Sequence, residues 1–302
     1  MEFAVYSDDY QADMGHHIFR SSKYVLLKED LLKSGLLTEA DILPARLATE
    51  AELLLVHTPE YLARLERLAE EPGARLAPDT PINREVLRAQ RLATGGTIQA
   101  CELASRNGVA FNLSGGFHHA FADRGEGFCV LNDVAVATRA ALLYGYASRV
   151  AVVDSDLHQG NGTASLLANE SSCFTFSLHE ERNYPKEKPA SDLDIGLPSW
   201  AGDSEYLDAL ASGLHQLAAR FEPDLLLYVA GVDVFEEDEL GGLHVTRQGL
   251  AERDKLVFEL ARQFGAGVAL VLGGGYSPQL DTTVELHAET AQRALSLMKD
   301  RS

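Results

Sequence analysis

The sequence predicts an α/β fold: one three-layer α/β/α domain over residues 1–302, built on a mostly parallel sheet of about eight strands. Two features carry this reading. From Val109 onward, short apolar runs alternate with longer amphipathic stretches. Several of those runs, such as Val150–Val153, are continuously apolar and β-branched, as in a parallel strand covered on both faces. No linker, internal repeat or low-complexity tract divides the chain, and 302 residues suit one large domain.

Taken in order, residues 3–6 form a short apolar first strand, and Asp8 to Arg20 is polar and irregular with His16, His17 and Phe19. Lys23 to Lys33 has helical periodicity and ends near Gly35. Leu53 to His57 is apolar enough for a second strand, and Thr58-Pro59 then caps and starts a helix. Residues 71–81 are rich in Pro and Gly and are expected to be loop. A long helix runs from about 83 to 105. Its Gly95-Gly96 pair costs about 1 kcal/mol per glycine relative to Ala, so close packing against a neighbour is the expected reason for it. Further strands are expected at 109–113, 150–154, 173–178, 192–197, 224–231 and 267–273, with helices at 131–144, 162–169, 203–221, 246–264 and 280–298.

Composition narrows the classes of function. The chain is 46% hydrophobic and 24% charged, ordinary for a globular protein. A net charge of −19 argues against binding nucleic acid through its phosphates and can draw in cationic ligands such as lysine side chains or amines. Cys101, Cys129 and Cys173 lie far apart without a CxxC pair, which suggests reduced, buried thiols in a cytoplasmic protein. The N-terminal residues carry no signal-peptide pattern, and no apolar run approaches a membrane span.

In open parallel sheets the ligand site lies at the carboxyl ends of the strands, so the residues directly after each apolar run matter most. Val109–Leu113 leads into Ser114-Gly-Gly-Phe-His118-His119, and Val150–Val153 into Asp154-Ser-Asp156-Leu-His158. The run from Cys173 contains Ser177 and ends at His179, that from Asp224 ends at Asp233, and that from Gly267 ends at Gly273-Gly-Gly-Tyr276. On an extended segment Asp154, Asp156 and His158 project to one side. Asp156, His158 and Asp233 together give two carboxylates and an imidazole, a set that leaves a metal position open for water. Zinc suits these ligands, and Fe(II) or another divalent ion fits the same set. A neighbouring imidazole then serves as general base, and Tyr276 as a donor to a developing oxyanion. The chemistry pointed to is metal-assisted hydrolysis of an amide or ester.

These residues resemble the histone deacetylase family, which has the arginase-deacetylase fold. Gly115-Gly-Phe-His118-His119-Ala120, Gly127-Phe128-Cys129-Val-Leu-Asn132-Asp133, Asp154-Ser-Asp156-Leu-His158-Gln-Gly-Asn161-Gly162, Gly231-Val-Asp233 and Gly273-Gly-Gly-Tyr276 match it in order over nearly the whole chain. The His158-Gln-Gly-Asn161-Gly162 ending, Thr94-Gly-Gly-Thr97 and Leu240-Gly-Gly-Leu243 are most similar to the class IV branch. The resemblance implies a zinc-dependent deacylase acting on acyl-lysine in proteins or peptides. It implies Asp156, His158 and Asp233 as zinc ligands, His119 as general acid and base, His118 as its electrostatic partner, and Tyr276 as the group polarising the acyl carbonyl. Gly127, Phe128, Leu240 and Gly274 would line the acyl-lysine tunnel. A potassium ion would be held by Asp154, the backbones of Asp156 and His158, Ser177 and the Leu178 backbone. Asp154 then sits behind the ligands and orients His118.

The chain departs from the pattern at a few places. Asn161 stands where class I members carry an aspartate beside the general-base histidine, and without that charge His119 is expected to be less basic. Gln159 replaces a second histidine, and Gly15-His-His-Ile18-Phe has Ile18 in place of a proline at the pocket mouth. An acetylpolyamine or other small-amide deacetylase is the alternative, which the acidic run Glu236-Glu-Asp-Glu239 would favour through a cationic substrate. A ureohydrolase on the same fold needs a second set of aspartates after His158, which the sequence lacks. A non-catalytic acyl-lysine binder is a further reading.

Overall fold

The computed structural model describes residues 3–299. The early chain supplies β1 (Ala4–Tyr6), α1 (Lys23–Lys33), β2 (Ile42–Pro44), α2 (Glu50–Leu53), α3 (Pro59–Leu68), β3 (Arg75–Ala77), β4 (Thr80–Pro81) and α4 (Arg84–Asn107). The alternating part begins with β5 (Val109–Asn112), α5 (Asp133–Tyr144), β6 (Val150–Asp154), α6 (Asn161–Leu167) and β7 (Cys173–Glu180). It continues through β8 (Leu193–Leu197), α7 (Asp203–Arg220), β9 (Leu225–Val229), α8 (Arg247–Phe264), β10 (Gly267–Val271) and α9 (Leu280–Lys299).

Eight strands form one sheet in the order β2-β1-β5-β10-β9-β6-β7-β8, and every pairing given for it is parallel. Side chains alternate between two apolar cores, as the pleat requires. Along β6, Ala151 and Val153 belong to the core that also takes in apolar residues of α1, α7, α8 and α9, while Val150 and Val152 belong to the one that takes in residues of α3, α4 and α5. Because both faces are covered, the central strands are apolar at nearly every position, which is what made them readable. β5 and β6 are consecutive sheet strands in the chain but flank β10 and β9 in the sheet. Register brings Asp154 level with Val229 and Ser177, and Val229 level with Val271, so the loops after these strands emerge at one edge.

Three early expectations change. Leu53–His57 is not a strand: Thr49 and Glu52 form a capping box that starts α2, and a turn then leads to the Thr58 cap of α3. The eighth strand is instead Ile42–Pro44, a short half-exposed edge strand whose three residues left little pattern. Residues 71–81 are not simple loop, since they contain the antiparallel pair β3 and β4.

The glycine pair in α4 has the expected cause. A Cβ on Gly95 would lie 2.0 Å from the Arg46 carbonyl oxygen, and one on Gly96 would lie 2.2 Å from the Tyr10 hydroxyl. Gly95→Ala is therefore expected to lower stability by about 1–3 kcal/mol through overpacking, despite the roughly 1 kcal/mol that alanine gains in helix propensity. Urea unfolding monitored by circular dichroism checks this, and a raised midpoint would contradict it.

Candidate active site

The two histidines after β5 are held by a buried carboxylate. Asp133 Oδ1 accepts from the Phe117 N–H at 2.7 Å, and its Oδ2 accepts from the Gly116 N–H at 3.1 Å and the Thr97 hydroxyl at 2.6 Å. Asn132 caps α5 through the Ala135 N–H and donates to the His118 and Ala120 carbonyls at 3.2 and 3.0 Å. The Asn132-Asp133 and Thr94-Gly-Gly-Thr97 motifs thus serve as the mount for His118 and His119. Behind them His57 donates from Nδ1 to the Phe121 carbonyl at 3.0 Å and accepts the Asn132 N–H on Nε2 at 3.1 Å.

Across the sheet edge, donor atoms of Asp156, His158 and Asp233 lie within 4.8 Å of one another, and all three residues are buried. His158 Nδ1 is 3.2 Å from Asp156 Oδ1 and 3.1 Å from Asp233 Oδ2. The Gly274 N–H donates to Asp156 at 2.7 Å and the Leu157 N–H to Asp233 at 3.0 Å. Burial and the Asp156 charge raise Asp233 to about 6. Burial alone would lower His158, but its hydrogen bonds to Asp156 and Asp233 prevail and raise it to about 10. Two buried carboxylates drawing a proton onto the imidazole between them are a donor set that fits a divalent cation.

His118 and His119 are pushed in opposite directions. His118 Nδ1 lies 2.7 Å from Asp154 Oδ2, and although burial opposes the charge, Asp154 and Asp156 raise it to about 9. His119 is held well below the usual range by burial and then by the charges of His118 and His158. Its Nε2 lies 3.1 Å from His118 Nε2, and its Nδ1 lies 2.8 Å from Asn161 Oδ1. The Tyr276 hydroxyl is pushed well above its usual range by burial and then by Asp233 and Asp156, which keeps it a donor. Its backbone N–H donates to Asp238 at 2.6 Å.

One cavity joins these groups. His118, His119, Gly127, Phe128, Asp156, His158, Gly274 and Tyr276 all line it. Leu240 sits apart from this lining, partly buried against the core, with its carbonyl accepting from Asn183 at 3.0 Å. Asp154 and Ser177 are register partners on β6 and β7, with Leu178 next along β7. Gln159 ties down the loop after β6 by donating to Pro189 O and Asp194.

Three neighbours of the site carry no signal in the sequence. Lys23 is buried with its Nζ donating to the Gly273 carbonyl at 3.1 Å and lying 5.9 Å from the Tyr276 ring centre. The Tyr184 ring meets His119 edge-on at 4.9 Å, and Glu126 accepts from Asn161 Nδ2. Helical periodicity marks Lys23 only as the start of an amphipathic helix, and Tyr184 and Glu126 sit in polar loops without a motif of their own.

The chain matches the model of the histone deacetylase domain over residues 17–291. It is 40% identical over 285 residues to an uncharacterized protein of Picosynechococcus sp., covering 94% of this chain and 95% of that protein. It is 33% identical over 269 residues to histone deacetylase 2 of Arabidopsis thaliana, covering 86% of this chain and 70% of that one. The crystal structure of an HDAC homolog from Aquifex aeolicus aligns with a TM-score of 0.84 at 27% identity, over 97% of this chain and 84% of that one.

The His57 arrangement gives a pH dependence. Burial lowers its folded pKa to about 4 from an ordinary 6.5, so the unfolded chain binds a proton that the folded chain refuses. Stability is complete above about pH 6.5 and falls as pH drops toward 4, with about 2 kcal/mol lost between pH 7.5 and pH 5 from this residue. Urea titrations of the wild type and His57→Gln across that window check it. The wild type loses more than the variant, and parallel losses would show that His57 is not the source.

Proposed function

The chain belongs to the histone deacetylase family, and on that footing we propose that it is a zinc-dependent hydrolase removing acetyl or longer acyl groups from lysine side chains. The carrying observation is that the imidazole pair, Asp156, His158 and Tyr276 line one cavity, with a carboxylate oxygen of Asp233 within 4.8 Å of the donor atoms of Asp156 and His158. In this reading the whole chain, 1–302, acts as a single catalytic domain. The His158-Gln-Gly-Asn161-Gly162 ending supports a place in the class IV branch.

Asp156, His158 and Asp233 would hold the zinc, with Fe(II) as the other candidate for the same donors. When bound, such a cation supplies Lewis acidity toward an amide carbonyl and a water molecule. His119, neutral because of its burial beside His118, takes a proton from the attacking water. Tyr276 donates its hydroxyl to the carbonyl oxygen as negative charge develops there. His119 then returns the proton to the departing lysine amine as the C–N bond breaks, leaving a carboxylic acid and a free amine, which exchange one proton to become carboxylate and ammonium. His118 stays charged against Asp154 and favours the negative charge built up nearby.

Gly127, Phe128 and Gly274 form the passage for the acyl-lysine side chain, and Leu240 lies outside its lining. Asp154, the backbones of Asp156 and His158, Ser177 and the Leu178 backbone would hold a potassium ion. Support for that ion is the register that pairs Asp154 with Ser177. The three free, buried cysteines support a reducing, cytoplasmic location. An acylated small amine is the second substrate class. The acidic loop favours it, because Asp238 joins that loop to the site through the Tyr276 N–H.

Tyr276→Phe is expected to lower kcat on an acyl-lysine peptide by about 100- to 1,000-fold, and His119→Ala by about 100- to 10,000-fold. Both variants keep their metal, as measured by elemental analysis. Rates like the wild type in both would overturn the reading. The substrate panel runs from acetyl to long fatty acyl groups on one lysine peptide and includes acetylputrescine. Faster turnover of the amine would select the second class.

A further inference from the structure

The environment of Asn161 assigns a role to Glu126, a residue outside the sequence motifs of the site. An asparagine amide is two-sided: its oxygen accepts and its nitrogen donates. Asn161 Oδ1 lies 2.8 Å from His119 Nδ1, and Asn161 Nδ2 lies 2.5 Å from Glu126 Oε1. A carboxylate only accepts, so Glu126 can pair only with the nitrogen side of that amide. The oxygen side then faces His119, whose Nδ1 must carry the proton. The acceptor lone pair of the neutral ring is thereby placed on Nε2. With the amide reversed, its N–H groups would either oppose the Nδ1–H donor to donor or push the ring proton to Nε2, against the His118 Nε2 3.1 Å away, and a base protonated there cannot accept another proton.

Glu126 is itself held firmly. Residues 126–129 form a tight turn in which the Cys129 N–H donates to the Glu126 carbonyl at 2.9 Å. Gly127 and Phe128, its central residues, have φ of 56° and 67°, the positive pair expected of a type I′ turn. Phe128 adopts this conformation at a cost of order 1–3 kcal/mol, and its N–H donates to the Thr80 hydroxyl on β4 at 3.2 Å. Gly127 tolerates no side chain, because a Cβ there would lie 2.5 Å from the His119 ring. The Glu126 carboxylate also accepts from the Tyr184 hydroxyl, and its Oε2 lies 3.6 Å from Arg124 Nε.

We propose that Glu126 is a positioning residue for His119, fixing the Asn161 amide so that its oxygen holds the Nδ1–H tautomer of the base. The proposal rests on the deacylase reading of the site. It also reinterprets Asn161: the negative charge missing there sits one residue farther out. An aspartate at 161 would need no such partner, since either of its oxygens accepts.

A double-mutant cycle tests this on the zinc-loaded enzyme with an acetyl-lysine peptide. Glu126→Ala lowers kcat by about 10- to 100-fold, the usual loss for an outer partner of a site, with KM little changed. In an Asn161→Asp background the same change has almost no effect. Glu126→Gln, which keeps an acceptor oxygen, retains most of the wild-type kcat. Equal losses from Glu126→Ala in both backgrounds, or a Gln variant as slow as the Ala variant, would overturn the proposal. Nitrogen-15 NMR of the imidazole rings, with His119 assigned through His119→Gln, reads the tautomer without any substrate. The Nδ1–H form in the wild type gives way to Nε2–H or a mixture in Glu126→Ala, and an unchanged tautomer contradicts the proposal. If the wild type turns over no acyl substrate, the deacylase reading fails while the NMR comparison still decides the tautomer.

Discussion

The dominant constraint on this structure is the burial of several carboxylates at one edge of a parallel sheet. Asp154, Asp156 and Asp233 are each at most 3% exposed, and unpaired charge in such surroundings costs several kcal/mol per ion. Backbone N–H groups supply part of the compensation. Asp156 donates to Asp154 at 3.1 Å, His158 and Gly274 to Asp156 at 3.0 and 2.7 Å, and Leu157 to Asp233 at 3.0 Å. Two imidazoles supply the rest. The backbone must therefore come very close to the carboxylates, and side chains are excluded where it does. A Cβ on Gly160 would meet Asp154 at 2.5 Å, one on Gly231 would meet Asp156 at 2.4 Å, and one on Gly274 would meet Asp233 at 2.0 Å. The glycines of three separate motifs thus answer to one electrostatic requirement.

The same requirement separates two neighbouring histidines chemically. His118 faces an aspartate and is stabilised as a cation, whereas His119 faces an amide and lies beside that cation. Adjacent titratable groups whose surroundings push them apart are suited to different roles in proton transfer. The partner atoms, Asp154 Oδ2 and Asn161 Oδ1, come from the end of β6 and the start of α6, on either side of the metal-type donors Asp156 and His158. A single strand-to-helix connection consequently supplies two of the three clustered donors and the partners of both histidines.

Much of this is legible in the sequence because buried parallel strands are apolar without interruption. Their ends are then marked by the first polar residues, and His118, Asp156 and Asp233 group together on that signal alone. Short or half-exposed elements lack that contrast. Ile42–Pro44 left no pattern, and Leu53–His57 has strand-like composition although the Thr49–Glu52 cap makes its start helical. Residues acting across long separations are invisible for another reason. Glu126 reaches Asn161 from 35 positions away, and nothing in the local composition of its loop marks it. Asn161 alone reads as a lost charge, whereas with Glu126 in place it reads as an oriented acceptor.

On the proposed reading, Asp156, His158 and Asp233 form one cation site facing His119 and Tyr276. Anomalous diffraction at the zinc edge, from crystals of the protein loaded with one equivalent of zinc, tests it most directly. A single peak is expected at about 2.0–2.2 Å from one donor atom of each of the three residues, with both His118 and His119 beyond bonding distance. A peak bound to His118 or His119, a pair of bridged peaks, or zinc only at the protein surface would contradict it.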